Sequence, residues 1–240
     1  MSVFFISDLH LSTERPEIIA LFAKFMAGDA RKADALYILG DLFEVWLGDD
    51  YVEPGLRPVI DALQNFSSTG KSLFVIHGNR DFLMGSGFEK MTGAKILPDP
   101  SPLSLGGKKA LISHGDELCT DDIEYMQFRN MVRNSDWQKD FLAKPVAERI
   151  AFARQARSES ISKTQQKAME IMDVNHSAVE QLMSVNDVEL LIHGHTHRPD
   201  IHQFEANGKS LTRIVLGDWY EQGSVLECEN SHCELKTISL

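Results

Sequence analysis

Apolar residues fall in short unbroken runs along this chain, and five of the runs stop just before side chains that can ligate a metal. The runs are 3–6, 36–39, 73–76, 110–112 and 190–192. Continuous rather than alternating apolar stretches of this length predict strands buried on both faces. Helical spacing over 16–26 and 52–66 separates the first three, and alternation of strand and helix predicts a layered α/β sheet. Between Thr120 and about Asn186 the strand-like runs stop. Ala, Gln, Arg, Glu, Met and Lys dominate there, and helical periodicity continues almost unbroken past Pro145, which predicts a helical insertion, or cap, over the strand ends. After His197 the runs 210–216, 224–228 and 234–239 have the pattern of antiparallel strands that finish a second sheet. The expected organisation is one domain over 1–240 with the cap inserted at 120–186.

The carboxyl ends of strands are where open α/β sheets build their sites. Here those ends carry Asp8-Leu9-His10, Gly40-Asp41, Gly78-Asn79-Arg80-Asp81, His114-Gly115-Asp116 and Gly194-His195-Thr196-His197. Convergence of the five would gather Asp8, His10, Asp41, Asn79, His114, His195 and His197 from positions up to 189 apart. Imidazole and carboxylate donors without thiolate suit Mn, Fe or Zn, and a shared carboxylate can hold two such ions about 3.5–4 Å apart. The expected division places Asp8, His10 and His197 with Asp41 around one ion, and Asn79, His114 and His195 with the same Asp41 around the other. Alone, Asp8-Leu9-His10 reads as a turn after a strand and His114-Gly115-Asp116 as ordinary loop chemistry. The five together, in order and each after an apolar run, carry the assignment.

Composition narrows the partners. A formal net charge of -11 argues against bulk nucleic-acid binding, which needs clustered Lys and Arg. From Thr120 to Glu170, however, nine Lys or Arg meet eight Asp or Glu, so that the remainder of the chain carries -12 and the cap is the less acidic part. A phosphorylated substrate is compatible with the acidity, because metal cations supply local positive charge. Cys119, Cys228 and Cys233 are odd in number and lack zinc-ribbon spacing. They read as ordinary packing or surface residues in a reducing compartment. With no apolar stretch of membrane-spanning length and no signal-like N-terminus, cytosolic residence is expected, with peripheral membrane contact open.

The order D-x-H, GD, GN, H-G and GHTH resembles the calcineurin-like metallophosphoesterase superfamily, from residue 3 to about 220. That resemblance implies an α/β fold of two sandwiched sheets flanked by helices, with a dinuclear site at the strand ends and Asp41 as the bridge. Most members follow GN with a histidine, whereas this chain has Arg80. An arginine does not donate a proton at neutral pH but does stabilise charge on phosphoryl oxygens. The change suits a leaving group that is already a stable anion, and so favours a pyrophosphate bond over the ester of a simple alcohol; a structural ion pair of Arg80 with Asp81 or Asp116 is the competing explanation.

The phrases at 40–50, 78–83 and 195–199 narrow the resemblance to diphosphatases that act on an acylated UDP-glucosamine in lipid A biosynthesis. It implies two divalent ions, most often Mn, and water attack at the α-phosphorus to release UMP and an acylated sugar 1-phosphate. Arg80 and His195 would then be catalytic. Arg157, Ser160, Thr164 and Lys167 follow at helical spacing on one face and offer two cations and two hydroxyls. By the same resemblance these four, with Asn79, Arg80, Asp122, Tyr125 and His195, would contact the sugar phosphate. Two acyl chains need a dry pocket, each buried CH₂ contributing about 0.8 kcal/mol. The candidates are Trp46, Phe82, Leu83, Phe128 and Phe141, with Trp46 and Phe82 expected as exposed rings on loops close to metal ligands. The expected partners are the acylated UDP-sugar and the cytoplasmic face of the inner membrane, for a monomer that binds no nucleic acid. A hydrolase of soluble nucleotides and a non-catalytic metal-binding scaffold are the alternatives.

Overall fold

All five apolar runs are strands in the computed structural model of the chain, which describes residues 1–164, 173–230 and 232–239. β1 (Ser2–Ile6), β2 (Ala35–Leu39), β3 (Ser72–Ile76) and β4 (Lys95–Leu97) lie side by side and parallel. Parallel neighbours cannot be joined by a tight turn. The chain crosses over through α1 (Pro16–Ala27), α2 (Arg57–Ser68) and α3 (Ser86–Thr92). A second sheet is built from β5 (Ser101–Leu105), β6 (Lys108–Ser113), β7 (Leu190–His193), β8 (Asp200–Ala206) and β9 (Lys209–Val215), in the order β5-β6-β7-β9-β8. Its three inner strands, β6, β7 and β9, are parallel.

The two-residue period of the strands sorts their side chains into layers. Phe4 and Ile6 of β1, with Leu36 and Ile38 of β2, pack against Ile18, Phe22, Ile60 and Leu63 from α1 and α2. The intervening residues Val3, Phe5, Tyr37 and Leu39 face the other sheet, where they meet Ala110, Ile112, Ile192 and Ile214. On the far face of the second sheet, Leu111, Leu191 and Leu211 are covered by Val179 and Met183 of α7 (His176–Val185). The result is helix, sheet, sheet, helix. Each fully buried Phe, Leu or Ile contributes roughly 1.5–3 kcal/mol, so the interleaving fixes register as well as stability.

Several elements differ from their expected places. The last two strands, β10 (Gly223–Glu229) and β11 (His232–Ile238), join the first sheet and not the second, giving the order β11-β10-β1-β2-β3-β4. Only β9 of the three late runs belongs to the second sheet, and it lies parallel to β7. The strands β4, β5 and β8 are too short or too polar to have been expected. α2 starts at Arg57 rather than at Val52, because the chain first makes a short 3₁₀ turn at Pro54–Leu56. Pro58 follows in the first turn, where its missing N–H costs nothing.

The near-continuous helical stretch is broken into α4 (Ile123–Val132), α5 (Ser135–Leu142) and α6 (Val146–Thr164). Asn134 caps α5 by accepting from the backbone N–H groups of Asp136 and Trp137, and Pro145 separates α5 from α6. α7, which falls inside the expected cap, packs on the second sheet and is part of the body. Cys228 and Cys233, read from sequence as ordinary residues, face each other in register across β10 and β11 and form a disulfide, while Cys119 is buried and takes no part in it. Among the described residues, no helix is long and apolar enough to cross a membrane.

Candidate metal centre and its surroundings

The ends of β1 and β2 are stitched together. Asp8 N–H donates to Gly40 O at 3.2 Å, His10 N–H to Asp41 O at 2.9 Å and Leu11 N–H to Leu42 O at 2.9 Å. The chain turns so sharply that Asp8, His10, Asp41, His195 and His197 all have left-handed backbone conformations, with φ between 47° and 70°. Such conformations are uncommon for residues other than glycine. The glycines before the ligands mark where two backbones meet. A Cβ on Gly78 would lie 2.0 Å from Asp41 Oδ1, and one on Gly194 would lie 2.0 Å from Ser7 Oγ and 2.4 Å from Asp8 Oδ2. No larger residue fits at either place.

The seven candidate ligands are thereby brought to one place. His10 Nε2 and His197 Nε2 are 3.4 Å apart, and His197 Nε2 is also 3.4 Å from Asp8 Oδ1. Asp41 reaches both sides, with Oδ2 3.7 Å from His10 Nε2 and Oδ1 3.8 Å from His114 Nε2. Asn79 Oδ1 lies 3.0 Å from His114 Nε2 and 3.0 Å from His195 Nδ1. Asp8, His10 and His197 form one compact donor group, and Asp8, Asp41 and His114 form another.

The donor chemistry fits cations. His114 Nδ1–H donates to Leu39 O at 2.8 Å, so when the ring is neutral its Nε2 is a lone pair aimed at another acceptor, the oxygen of Asn79. His10 and His197 present Nε2 to one another while Glu44 and Asp218 sit behind their Nδ1 atoms, each at 3.3 Å. Asp8 Oδ1 is fully buried without a hydrogen-bond donor. Lone pairs facing lone pairs are what a first-row divalent ion relieves. Without ions, protons take that place: against the opposing effect of burial, Asp41, Asp8 and Asp116 raise His114 to about 9, and Asp218 and Asp8 raise His197 to about 10. Burial and the charge of His114 push His195 the other way, down to about 4.

Four acidic residues at the site escaped sequence reasoning. Asp81 is fully buried and accepts from Gly78 N at 2.8 Å and Leu42 N at 2.7 Å, locking the two loops that carry Asn79 and Asp41. Burial and the neighbouring Asp41 raise it to about 6. Asp116 accepts from Tyr125 OH at 2.7 Å and Arg129 Nε at 2.8 Å. Glu44 and Asp218 are the carboxylates behind the two imidazoles. Of these, only Asp81 and Asp116 belong to the quoted ligand motifs; nothing in spacing marks the other two.

Arg80 is not in an ion pair with Asp81 or Asp116. Its backbone N–H donates to Asp41 Oδ1 at 2.9 Å, and its Nε is buried without a partner, near Glu44 and Tyr220. Arg157 of α6 reaches the same corner and pairs with Glu44 at 2.6 Å. Ser160 is half-buried one turn further on. Asp122 caps α4 through Tyr125 N, and the ring of Tyr125 lies 5.8 Å from that of His195, although its hydroxyl is taken by Asp116. Lys167 and the side chain of Thr164 lie outside the described residues.

α6 is anchored to the second metal loop by Arg149, whose buried guanidinium donates to Leu47 O and to both carboxylate oxygens of Asp50. The apolar candidates divide. Trp46 is not an exposed ring: it is 3% accessible, stacks on Phe43, meets Phe88 edge-on and donates to Asp49 Oδ1 at 2.9 Å. Leu83 and Phe141 are likewise in the core. Phe82 and Phe128 are half-buried, and Phe82 lies between Trp137 and the guanidinium of Arg133. Ile123, Met131, Leu142 and Phe152 leave apolar surface on the helices α4 to α6.

Residues 1–199 match the family described as calcineurin-like phosphoesterase. A UDP-2,3-diacylglucosamine hydrolase of Stenotrophomonas maltophilia (strain K279a) is 48% identical over 248 residues, covering 100% of this chain and 99% of the relative. The protein of that name in Aeromonas hydrophila is 46% identical over 240 residues, with 100% of both chains covered. The one in Escherichia fergusonii is 47% identical, with 98% of each covered.

Proposed function

Because this chain belongs to the calcineurin-like phosphoesterase family, we propose that it hydrolyses the pyrophosphate bond of UDP-2,3-diacylglucosamine to UMP and 2,3-diacylglucosamine 1-phosphate, in lipid A biosynthesis. The carrying observation is the full-length likeness to relatives of that name, joined to the donor groups that Asp8, His10, Asp41, His114 and His197 form. Two divalent ions, Mn by preference, would be held by Asp8, His10, His197 and Asp41 and by Asn79, His114, His195 and Asp41. Bound there, they supply Lewis acidity and a water made nucleophilic at neutral pH.

The protein's own part is positioning and charge. Arg80, whose guanidinium forms no ion pair among the described residues, stabilises the negative charge that builds on the phosphoryl oxygens. His195, which burial keeps neutral, faces the same space and contacts the phosphoryl group. No general acid is required, since a sugar phosphate leaves as a stable anion. Arg157 and Ser160 hold the sugar phosphate beneath α6, together with Thr164 and Lys167, and Asp122 and Tyr125 line the opposite wall. The apolar surface of the cap, with Phe82 and Phe128, takes the acyl chains and supports peripheral contact with the cytoplasmic face of the inner membrane. Helices α4 to α6 are the cap over the site.

The test is hydrolysis of the acylated UDP-sugar in ¹⁸O-labelled water. Label recovered in UMP is expected for attack at the α-phosphorus, and label in the sugar phosphate would refute it. Turnover of a soluble dinucleotide in preference to the acylated substrate would overturn the substrate assignment.

A further inference from the structure

The two halves of the metal centre differ in what stands behind their imidazoles. In the half made by Asp8, His10 and His197, both outer nitrogens face a carboxylate: Glu44 Oε2 lies 3.3 Å from His10 Nδ1, and Asp218 Oδ2 lies 3.3 Å from His197 Nδ1. In the other half, the outer nitrogen of His114 is bonded to a neutral carbonyl, Leu39 O, at 2.8 Å. Asn79 supplies a neutral amide oxygen there. Asp116, whose charge also acts on His114 and His195, is already matched by the Arg129 guanidinium at 2.8 Å. A carboxylate behind an imidazole fixes the ring and makes its free nitrogen a stronger donor, which is worth 10- to 100-fold in metal affinity. Asp8 stands against both His197 and His114, so the contrast between the halves lies in the carboxylates behind their imidazoles.

We infer that the two ions load in order, the first into the Asp8–His10–His197–Asp41 subsite, and that Glu44 and Asp218 are the positioning residues that make this subsite the tighter one. Their shares are unequal. Glu44 also binds Arg157 of α6 at 2.6 Å, so part of its charge is already spoken for, whereas Asp218 has no guanidinium or ammonium partner among the described ion pairs. Asp218 carries the larger share. The inference rests on the dinuclear reading above.

The test uses the full chain freed of metal, titrated with Mn(II) alone and followed by calorimetry and by electron paramagnetic resonance, which tells an isolated Mn(II) from a coupled pair. The wild type is expected to bind one equivalent with an isolated-ion spectrum and a second at least about tenfold more weakly, with the coupled spectrum growing in only then. Asn79→Ala should keep the first step and lose the second, which places the first ion. Asp218→Asn, which retains the oxygen that accepts from Tyr220 N, should weaken the first step about 10- to 100-fold and close the gap between the two. Glu44→Gln should do the same by a smaller factor. Two equal affinities with a coupled spectrum from the first addition would overturn the inference while leaving the dinuclear centre standing. So would a first step untouched in Asp218→Asn and Glu44→Gln. Failure of the wild type to bind Mn(II) at all would instead bring down the dinuclear reading itself.

Discussion

The Arg149–Asp50 contact offers a test in which the two partners of one ion pair should not be equivalent. Arg149 is 2% accessible, while the Asp50 side chain is 59% accessible. Replacing Asp50 with Ala strands a covered guanidinium that keeps only the Leu47 carbonyl for company. Replacing Arg149 with Met keeps much of the packing of the stem and leaves behind a carboxylate that water already reaches. Charge-assisted hydrogen bonds contribute roughly 1.5–3 kcal/mol each, and the exposure of Asp50 screens them. Asp50→Ala is therefore expected to cost about 2 kcal/mol and Arg149→Met about 1 kcal/mol. Urea unfolding of the two single variants and the double variant gives the cycle. In the Arg149→Met background the Asp50→Ala substitution should cost almost nothing. Equal costs for Asp50→Ala with and without Arg149 would refute the latch. Because Arg157 lies eight residues along the same helix, about 12 Å at 1.5 Å per residue, a loosened α6 should also raise KM for the acylated substrate without changing the content of bound metal.

Three further outcomes are expected. Arg80→Ala should lower kcat about 10²-fold with little change in KM or in bound metal; an unchanged kcat in steady-state assays would remove Arg80 from the chemistry. Trp46→Ala should destabilise the fold by about 3–5 kcal/mol, because the ring is sandwiched in the core; a stable variant with altered acyl-chain preference would return Trp46 to the lipid pocket. Cys119 is pushed up to about 12 by burial and by Asp116 and its acidic neighbours, so the thiol stays protonated at pH 8. It should resist iodoacetamide in the folded protein and react on unfolding, and fast modification of the native chain would contradict the buried placement.

The parts of the fold that could be read from sequence are those where one physical cause acts alone. Strands buried on both faces have no choice but to be continuously apolar, and β1, β2, β3, β6 and β7 announced themselves in that way. β4, β5 and β8 did not. They lie near or at sheet edges, where three to seven residues of mixed polarity suffice because the ladder next to them supplies the pairing. β10 and β11 were visible as strands, yet their sheet was not, since an alternating pattern says which faces differ and not which neighbour is chosen. The candidate ligands could be gathered because they sit at strand ends in short motifs. Glu44 and Asp218 could not, because a residue that acts on an imidazole from behind is set by three-dimensional contact alone. Trp46 misled for a related reason. Its nearness to Asp41 in sequence suggested an exposed loop ring, whereas the loop folds back and buries it against Phe43 and Phe88.

The left-handed backbone at five of the seven ligand positions has a bearing on how this protein would respond to selection. Each such residue holds a conformation that disfavours its own side chain by about 1 kcal/mol or more, a cost that the backbone N–H groups of Arg80 and His195 offset at Asp41 and Asp8 but that His10, His195 and His197 bear. A library screened only for resistance to heat or protease should accumulate glycine at His10, His195 and His197, and in doing so dismantle the centre. A library screened for turnover should hold all five and gain its stability elsewhere. Comparing where the two libraries diverge would map the functional loops of this chain without a single assay of metal binding.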